Sequence, residues 1–284
     1  LSMGLEKIIS RNELKAPFVI IMDESTFIKN PKALRTKCAT RLSNLALARC
    51  IMSALPSPQG MHELFSQFLF LDKGASLGTS YWDFLNHYFR KAWRLAQWEV
   101  TEWGKEQIIN AIAPKCFIIK EEEMVKLPPQ GKFDIPIELQ TEQLEAYKQL
   151  EEDYRVTICN VVVDVFFAIQ LTQKLLQLCS GFTYTKDEEN PVVSITSNKK
   201  DKLLEILNVP GQKIVWCNYV ETQLRLKEIV PPGTLVLSYH KHAHGLNFPD
   251  ATTVVYFEPC FSVEKSFQAS KRHRRLTTTR ASRC

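Results

Sequence analysis

Pro17-Phe18-Val19-Ile20-Ile21-Met22-Asp23-Glu24-Ser25-Thr26-Phe27-Ile28-Lys29-Asn30 is the stretch on which the fold turns. An apolar run ends abruptly at two adjacent carboxylates. It is too short and too uniform for a helical stripe, so it predicts a strand buried on both faces, as in a parallel sheet. Ligands of open α/β sheets bind at the carboxyl ends of the strands. Asp23 and Glu24 stand at that end.

The rest of the chain agrees with an α/β reading. Apolar residues make up 45% of the 284 residues, enough for real cores and too many for a disordered chain. No apolar stretch is long enough to span a bilayer, because Asp164 and Gln170 break the longest one; no membrane partner is expected. The chain starts at Leu1 without a signal-peptide pattern or an initiator Met, so it reads as a fragment of a cytoplasmic protein, or a nuclear one if the source is eukaryotic. Its eight cysteines include no Cys-x-x-Cys pair. They read as reduced, structural thiols rather than zinc ligands.

The net charge is +5, from 36 basic and 31 acidic residues. Lys271, Arg272, Arg274, Arg275, Arg280 and Arg283 crowd the last segment, which holds no acid, so the remainder is near balance. Bulk charge therefore does not argue for nucleic acid; the basic tail does.

Along the chain, Leu34, Cys38, Leu42 and Leu45 have the spacing of a helix with one core face. A short strand at 49–52 runs into Ser53-Ala54-Leu55-Pro56-Ser57-Pro58-Gln59-Gly60, a turn rich in breakers. Residues 61–71 and 81–93 read as helices, the second with aromatics beside Arg90, Lys91 and Arg94 that suit core packing or base stacking. Residues 133–139 alternate like a strand, with Thr141 as the cap of a helix over 142–154. A long apolar helix is expected over 156–179, capped by Gly181, and a flexible charged turn over 186–191. Strands at 213–217, 234–238 and 253–257 alternate with helices at 198–207 and 220–230, which means a parallel sheet.

A second constellation lies near the end. His244-Gly245-Leu246-Asn247-Phe248 follows a strand, and Gly245 permits a tight turn beside a ligand. In a helix over 262–275, Gln268, Arg272 and Arg275 stand at i, i+4 and i+7, on one face.

Asp23-Glu24-Ser25 with Lys29-Asn30, the Ser53-Ala54-Leu55-Pro56 turn, Glu63-Leu64-Phe65-Ser66-Gln67, Gly245-Leu246-Asn247 and Gln268-x-x-x-Arg272-x-x-Arg275 come in the order of the Swi/Snf class of helicase-like DNA translocases. The chain resembles that family, in a compact phage or bacterial version, from about Val19 to Arg275. The resemblance implies two RecA-like lobes with parallel sheets flanked by helices, both incomplete: 1–130 as the end of the first lobe and 131–284 as a shortened second lobe. It implies a motor that couples ATP hydrolysis to movement on double-stranded DNA, with RNA the less expected partner. Asp23 would hold Mg2+ and Glu24 would activate water. Arg272 and Arg275 would act as arginine fingers, which stabilise a transferring phosphoryl group only when they point at it. Gln268, Gly245 and Asn247 would lie at the nucleotide, and Ser53, Pro56, Lys29 and Asn30 toward the nucleic acid.

The chain departs from the family in three places. Leu55 replaces a hydroxyl-bearing residue. Ile118 or Ile119 stands where an Arg is usual. Gly-Lys occurs only at Gly104-Lys105 and Gly131-Lys132, neither followed by Ser or Thr, so no P-loop is present. Without that loop the backbone cradle for phosphates is missing. The expectation is that this chain alone binds ATP weakly or not at all. Two alternatives stand beside the translocase: a strand-separating helicase, and a non-catalytic nucleic-acid-binding or scaffold remnant.

Overall fold

The computed structural model describes residues 17–91, 98–119, 123, 130–186, 188, 191–243, 246–273 and 282–283. The chain divides into two compact units, Leu1–Lys120 and Glu121–Cys284. Both combine helices with parallel sheets, the α/β class expected from the sequence.

In the first unit, β1 (Val19–Met22) pairs in parallel with β2 (Ala48–Ile51), so both strands end on the same side. The crossover between them is a short 3-10 helix, Ser25–Ile28, followed by α1 (Leu34–Leu45). One face of the pair is packed: Ile20, Met22 and Ile51 lie against Ile28, Ala39 and Phe70. The other face is bare, with Val19 57% and Ile21 65% exposed. The expectation of a strand buried on both faces is therefore corrected. The apolar run has the composition of a two-sided strand, but among the described residues the 3-10 helix, α1 and α2 (Leu64–Asp72) cover it from one side. Leu34 and Leu45 of α1 are exposed as well, and only Cys38 and Leu42 of the expected face are buried.

The aromatic segment is a helix only as far as α3 (Tyr81–Tyr88); the chain then extends into β3 (Phe89–Lys91), paired antiparallel with β4 (Trp98–Val100). Phe84 packs on Phe65, Tyr88 and Phe89, with ring centroids 5.3–5.4 Å apart, so its neighbours bind it into a core. Gly104, within α4 (Glu102–Ile112), is a packing glycine: a Cβ there would lie 2.1 Å from the Tyr88 carbonyl oxygen.

The second unit contains β5 (Gln130–Gly131), α5 (Thr141–Asp153), β6 (Arg155–Ile158), β7 (Val161–Asp164), α6 (Ala168–Cys179), β8 (Phe182–Tyr184) and β9 (Val192–Ser194). Here the expected long helix over 156–179 is overturned. Its first part is the β6–β7 hairpin, as the β-branched run Val161-Val162-Val163 favours. Cys159 and Asn160 turn it with positive φ, the backbone that a two-residue hairpin loop needs. The alternating 133–139 segment forms no strand. Gly181, at φ +85°, follows α6 as a C-terminal glycine should.

The main sheet is built from β10 (Gln212–Cys217), β11 (Thr234–Ser238) and β12 (Ala251–Tyr256), extended by β13 (Ser282–Arg283) and β5 in the order β11-β10-β12-β13-β5, all parallel. Successive β10 side chains point to opposite faces. Val215 and Cys217 meet α7 (Lys199–Leu207) and α8 (Val220–Ile229) through Leu203, Leu207 and Leu226. Ile214 and Trp216 meet Tyr239 of α9 (Tyr239–His242) and Ala269 of α10 (Val263–Ser270) on the other face. Both faces are covered, as a parallel sheet requires. No helix among the described residues is long and apolar enough to cross a membrane.

Candidate functional site

In the first unit the parallel pairing of β1 and β2 brings two of the predicted motifs to one end of the sheet. Asp23 follows β1, and the Ser53–Pro56 turn follows β2. They are laced by backbone: Met52 N donates to Met22 O at 2.9 Å, and Ser25 N donates to Met52 O at 2.9 Å. Asp23 is exposed, and its Oδ1 accepts from the Glu24 amide at 3.0 Å. Glu24 has φ 53° and ψ 61°, the left-handed region that costs a residue with a Cβ about 1–2 kcal/mol. Strain of this kind persists where the surroundings over-determine it. Here the Ser25 amide bond to β2 and the Phe27 amide bond to Glu24 O hold the turn.

The remaining predicted residues of this unit lie close by in the same framework. The Lys29 ammonium pairs with Glu63 at 3.2 Å, Asn30 Oδ1 accepts from Lys32 N at 2.9 Å, and Ser53 Oγ accepts from Leu55 N at 3.2 Å. Asn30 and Pro56 are exposed.

Two buried polar residues of the Glu63–Gln67 stretch were given no role by the sequence reading. Glu63 accepts from the Gln59 amide at 3.1 Å as well as pairing with Lys29. Gln67 joins three partners: it accepts from Ser25 Oγ at 2.6 Å and donates to Pro56 O at 2.6 Å and Glu63 O at 2.9 Å. The signal was present: Ser66-Gln67 interrupts an otherwise apolar helix, and a polar residue on a buried face demands a partner.

In the second unit the expected helical face is corrected. α10 ends at Ser270, so Arg272 lies in the following turn rather than one turn along the helix from Gln268. It is buried. Its guanidinium donates to Ala243 O at 2.6 Å and Leu246 O at 3.2 Å, while its own carbonyl accepts from Phe248 N at 2.9 Å. Arg272 thus ties the loop around Asn247 to the end of α10. Asn247 is exposed; Gln268 is buried, and its Oε1 meets no hydrogen-bond partner among the described residues. Gly245 and Arg275 lie outside the described residues.

A further carboxylate was unforeseen. Glu258, after β12, is buried and accepts from the amides of Asn218 (2.8 Å) and Tyr219 (3.0 Å) and from Thr222 Oγ1. It sits at the amino-terminal end of α8, between the carboxyl ends of β10 and β12. Helices follow these strands on opposite faces, which is where open α/β sheets receive ligands. The seat that suits an anion is filled by the protein's own carboxylate. Burial, with Glu258 nearby, pushes the Tyr219 hydroxyl up to about 12. Burial also lowers Lys199 below its ordinary value, against the pull of Glu258. A separate cavity of about 710 Å³ runs along β12 and α7, lined by Phe133, Ile135, Leu203, Ile206, Val254 and Tyr256, and no predicted site residue lines it.

Among the described residues no group of three or more His, Cys, Asp or Glu is placed to hold a metal. The cysteines there are all free; Cys38 and Cys217 are buried, while Cys50, Cys116 and Cys159 are exposed, so fewer are structural than expected.

The fold and its acidic strand end define an α/β protein with parallel sheets. No family model matches the chain. Protein p41 of Acyrthosiphon pisum secondary endosymbiont phage 1 is 25% identical over 295 residues, covering 90% of this chain and 62% of that protein. Among solved structures, the chain is similar to the Sulfolobus solfataricus SWI2/SNF2 ATPase core in complex with dsDNA and to the core domain alone. Identity is 17% and the TM-score 0.36 for both, covering 95% of this chain and 64% and 62% of those chains. The chain spans less than two thirds of the length of each of these proteins.

Proposed function

We propose that the chain is part of an ATP-dependent motor that moves on double-stranded DNA. One observation carries this reading: Asp23 and Glu24 stand at the carboxyl end of a parallel strand, with Glu24 held in a strained backbone and its neighbour Ser25 bonded through its amide to Met52 O, just past the neighbouring strand. Asp23 would hold Mg2+. A single exposed carboxylate fits that ion, which keeps several waters and takes further oxygens from phosphates. Bound there, Mg2+ would neutralise charge on the transferring phosphoryl group. Glu24 accepts the proton of the attacking water. Ser53, Pro56, Lys29 and Asn30 lie toward the DNA. Gln268, Gly245 and Asn247 serve the nucleotide and Arg275 supplies a cation, while Arg272, buried against the Ala243 and Leu246 carbonyls, holds the Asn247 loop in place. These 284 residues contain no Gly-x-x-x-x-Gly-Lys, so this reading needs a phosphate cradle that they do not supply.

The test is Mg-dependent ATP hydrolysis by the full-length protein, with and without duplex DNA, beside its Glu24→Gln variant. Hydrolysis that DNA stimulates and Glu24→Gln abolishes supports the reading. Absence of hydrolysis in the unsubstituted protein overturns it. A strand-displacement assay on the same protein separates a translocase from a helicase.

A second reading, a non-catalytic nucleic-acid-binding or scaffold protein, is favoured by two observations. The chain has no Gly-x-x-x-x-Gly-Lys, and Glu258 fills the anion seat of the second unit. Duplex binding without hydrolysis by the full-length protein moves this reading to first place.

A further inference from the structure

Gln67 is 1% exposed, on a helix whose neighbours are apolar. A buried amide in such a place costs stability unless its donors and acceptor are met. All three of its bonds lead to functional candidates or their supports. The Ser25 hydroxyl, two residues beyond Asp23, donates to its oxygen. The Pro56 carbonyl, in the turn assigned to the DNA side, accepts from its nitrogen. The Glu63 carbonyl takes a second bond from the same nitrogen, and Glu63 holds Lys29 and the Gln59 amide. Ser66, one residue earlier, donates to the Lys29 carbonyl at 3.2 Å.

We propose that Gln67 is a positioning residue that transmits the conformation of the Pro56 turn to the Asp23–Glu24 turn through the Ser25 hydroxyl. The amide is planar, so its oxygen and nitrogen cannot move independently. A shift of the Pro56 carbonyl either drags the amide plane, and with it the buried Ser25 hydroxyl bond, or breaks the part-buried bond from Gln67 to Pro56 O. Either result reaches Glu24, because Ser25 is its neighbour and the left-handed turn at Glu24 depends on how Ser25 is held. Buried polar links of this kind have few intermediate arrangements, which suits a two-state relay. Leu55, where a hydroxyl-bearing residue was expected, gives the turn no side-chain route of its own. The amide of Gln67 supplies one through the Pro56 carbonyl.

This inference rests on the motor reading. Its test uses the full-length protein and two variants that cut the same link from opposite ends, Gln67→Met and Ser25→Ala, with the double variant. The readout is the ratio of DNA-stimulated to basal ATP hydrolysis, taken at a temperature where each variant is folded by circular dichroism. Ser25→Ala removes one hydroxyl and keeps the fold testable if Gln67→Met does not accumulate. A coupling device loses about 5- to 150-fold in that ratio. The double variant should lose no more than the worse single, because both cut one path. A ratio that survives in the variants while the unsubstituted protein is stimulated overturns the relay and leaves the motor reading standing. So do additive losses in the double variant. An unsubstituted protein that hydrolyses no ATP overturns the motor reading and the relay together.

Discussion

The Thr222 hydroxyl donates to the Glu258 carboxylate at 2.5 Å, inside the sheet-end crevice of the second unit. With the amides of Asn218 and Tyr219 it gives a buried carboxylate three donors, so both its oxygens are met. Hydrogen bonds to charged groups contribute about 1.5–3 kcal/mol each. Thr222→Val, which keeps the shape and removes the donor, should lower unfolding free energy by about that amount in urea titrations. Glu258→Gln should cost less, because both backbone amides bond one oxygen, which the carboxamide oxygen replaces, and the Thr222 hydroxyl can turn to accept from the new NH2.

Glu24 offers a separation of stability from activity. Its left-handed backbone is one that glycine adopts without strain. Glu24→Gly should therefore raise stability by about 0.5–1 kcal/mol, less the loss from a more flexible unfolded chain. In the full-length protein the same substitution should reduce ATP hydrolysis by about 10²–10⁴-fold, the range for loss of a general base. Thermal unfolding and steady-state hydrolysis on one preparation check both halves.

Acid should weaken the first unit through Asp72. Burial pushes its carboxyl up, but the Lys115 and Ser76 bonds outweigh burial and leave it below its ordinary value of 3.8. Lys115 Nζ lies 2.6 Å from Oδ2, and the Gly74 and Ser76 amides donate to the two oxygens. A carboxyl depressed on folding adds stability above its unfolded value and loses it as pH falls through the folded one. The loss should fall below about pH 4. Lys115→Met should flatten the stability profile there and leave its shape near neutrality unchanged.

Arg272 should behave as an anchor whatever else it does. Arg272→Lys keeps the charge but loses the planar fork that reaches two carbonyls at once. It should cost about 1–3 kcal/mol and speed hydrogen exchange at the Phe248 amide, which bonds to the Arg272 carbonyl. An unchanged exchange rate at Phe248 would show that the loop holds without the guanidinium.

The two sides of β1 should respond oppositely to polar substitution. Ile20→Thr faces Ile28, Ala39 and Phe70 and should cost about 1–3 kcal/mol. Val19→Thr and Ile21→Thr, on the bare face, should change stability by less than about 0.5 kcal/mol and reduce self-association of the chain seen by light scattering.

Much of the α/β framework was legible in the linear chain. Continuous apolar runs such as Ile214-Val215-Trp216-Cys217 mark strands covered on both faces, and α8 lies between β10 and β11 as the alternation of strands and helices predicted. The acidic pair at the end of β1 was legible too, since a run that stops at two carboxylates announces a strand end. Local patterns failed where long-range packing decided. Residues 156–164 suit a helix or a hairpin by composition alone, and the hairpin forms because Val156, Ile158 and Val163 pack into one cluster with α5 and α6. Trp93 lies outside the described residues, but Phe89 already leaves the helical pattern to pair with Val100.

By itself, then, the order of residues determined the strand-and-helix alternation, the acidic strand end and the basic close of the chain, because each rests on neighbours within a few positions. Tertiary structure decided the partnerships. Ser25 meets Gln67, Pro56 meets Gln67 and Thr222 meets Glu258 across separations of 42, 11 and 36 residues. It also left one face of β1 bare and turned Arg272 inward. Hydrogen bonds act over about 3 Å, so which donors and acceptors meet depends on where the packed sheet and helices bring distant segments together.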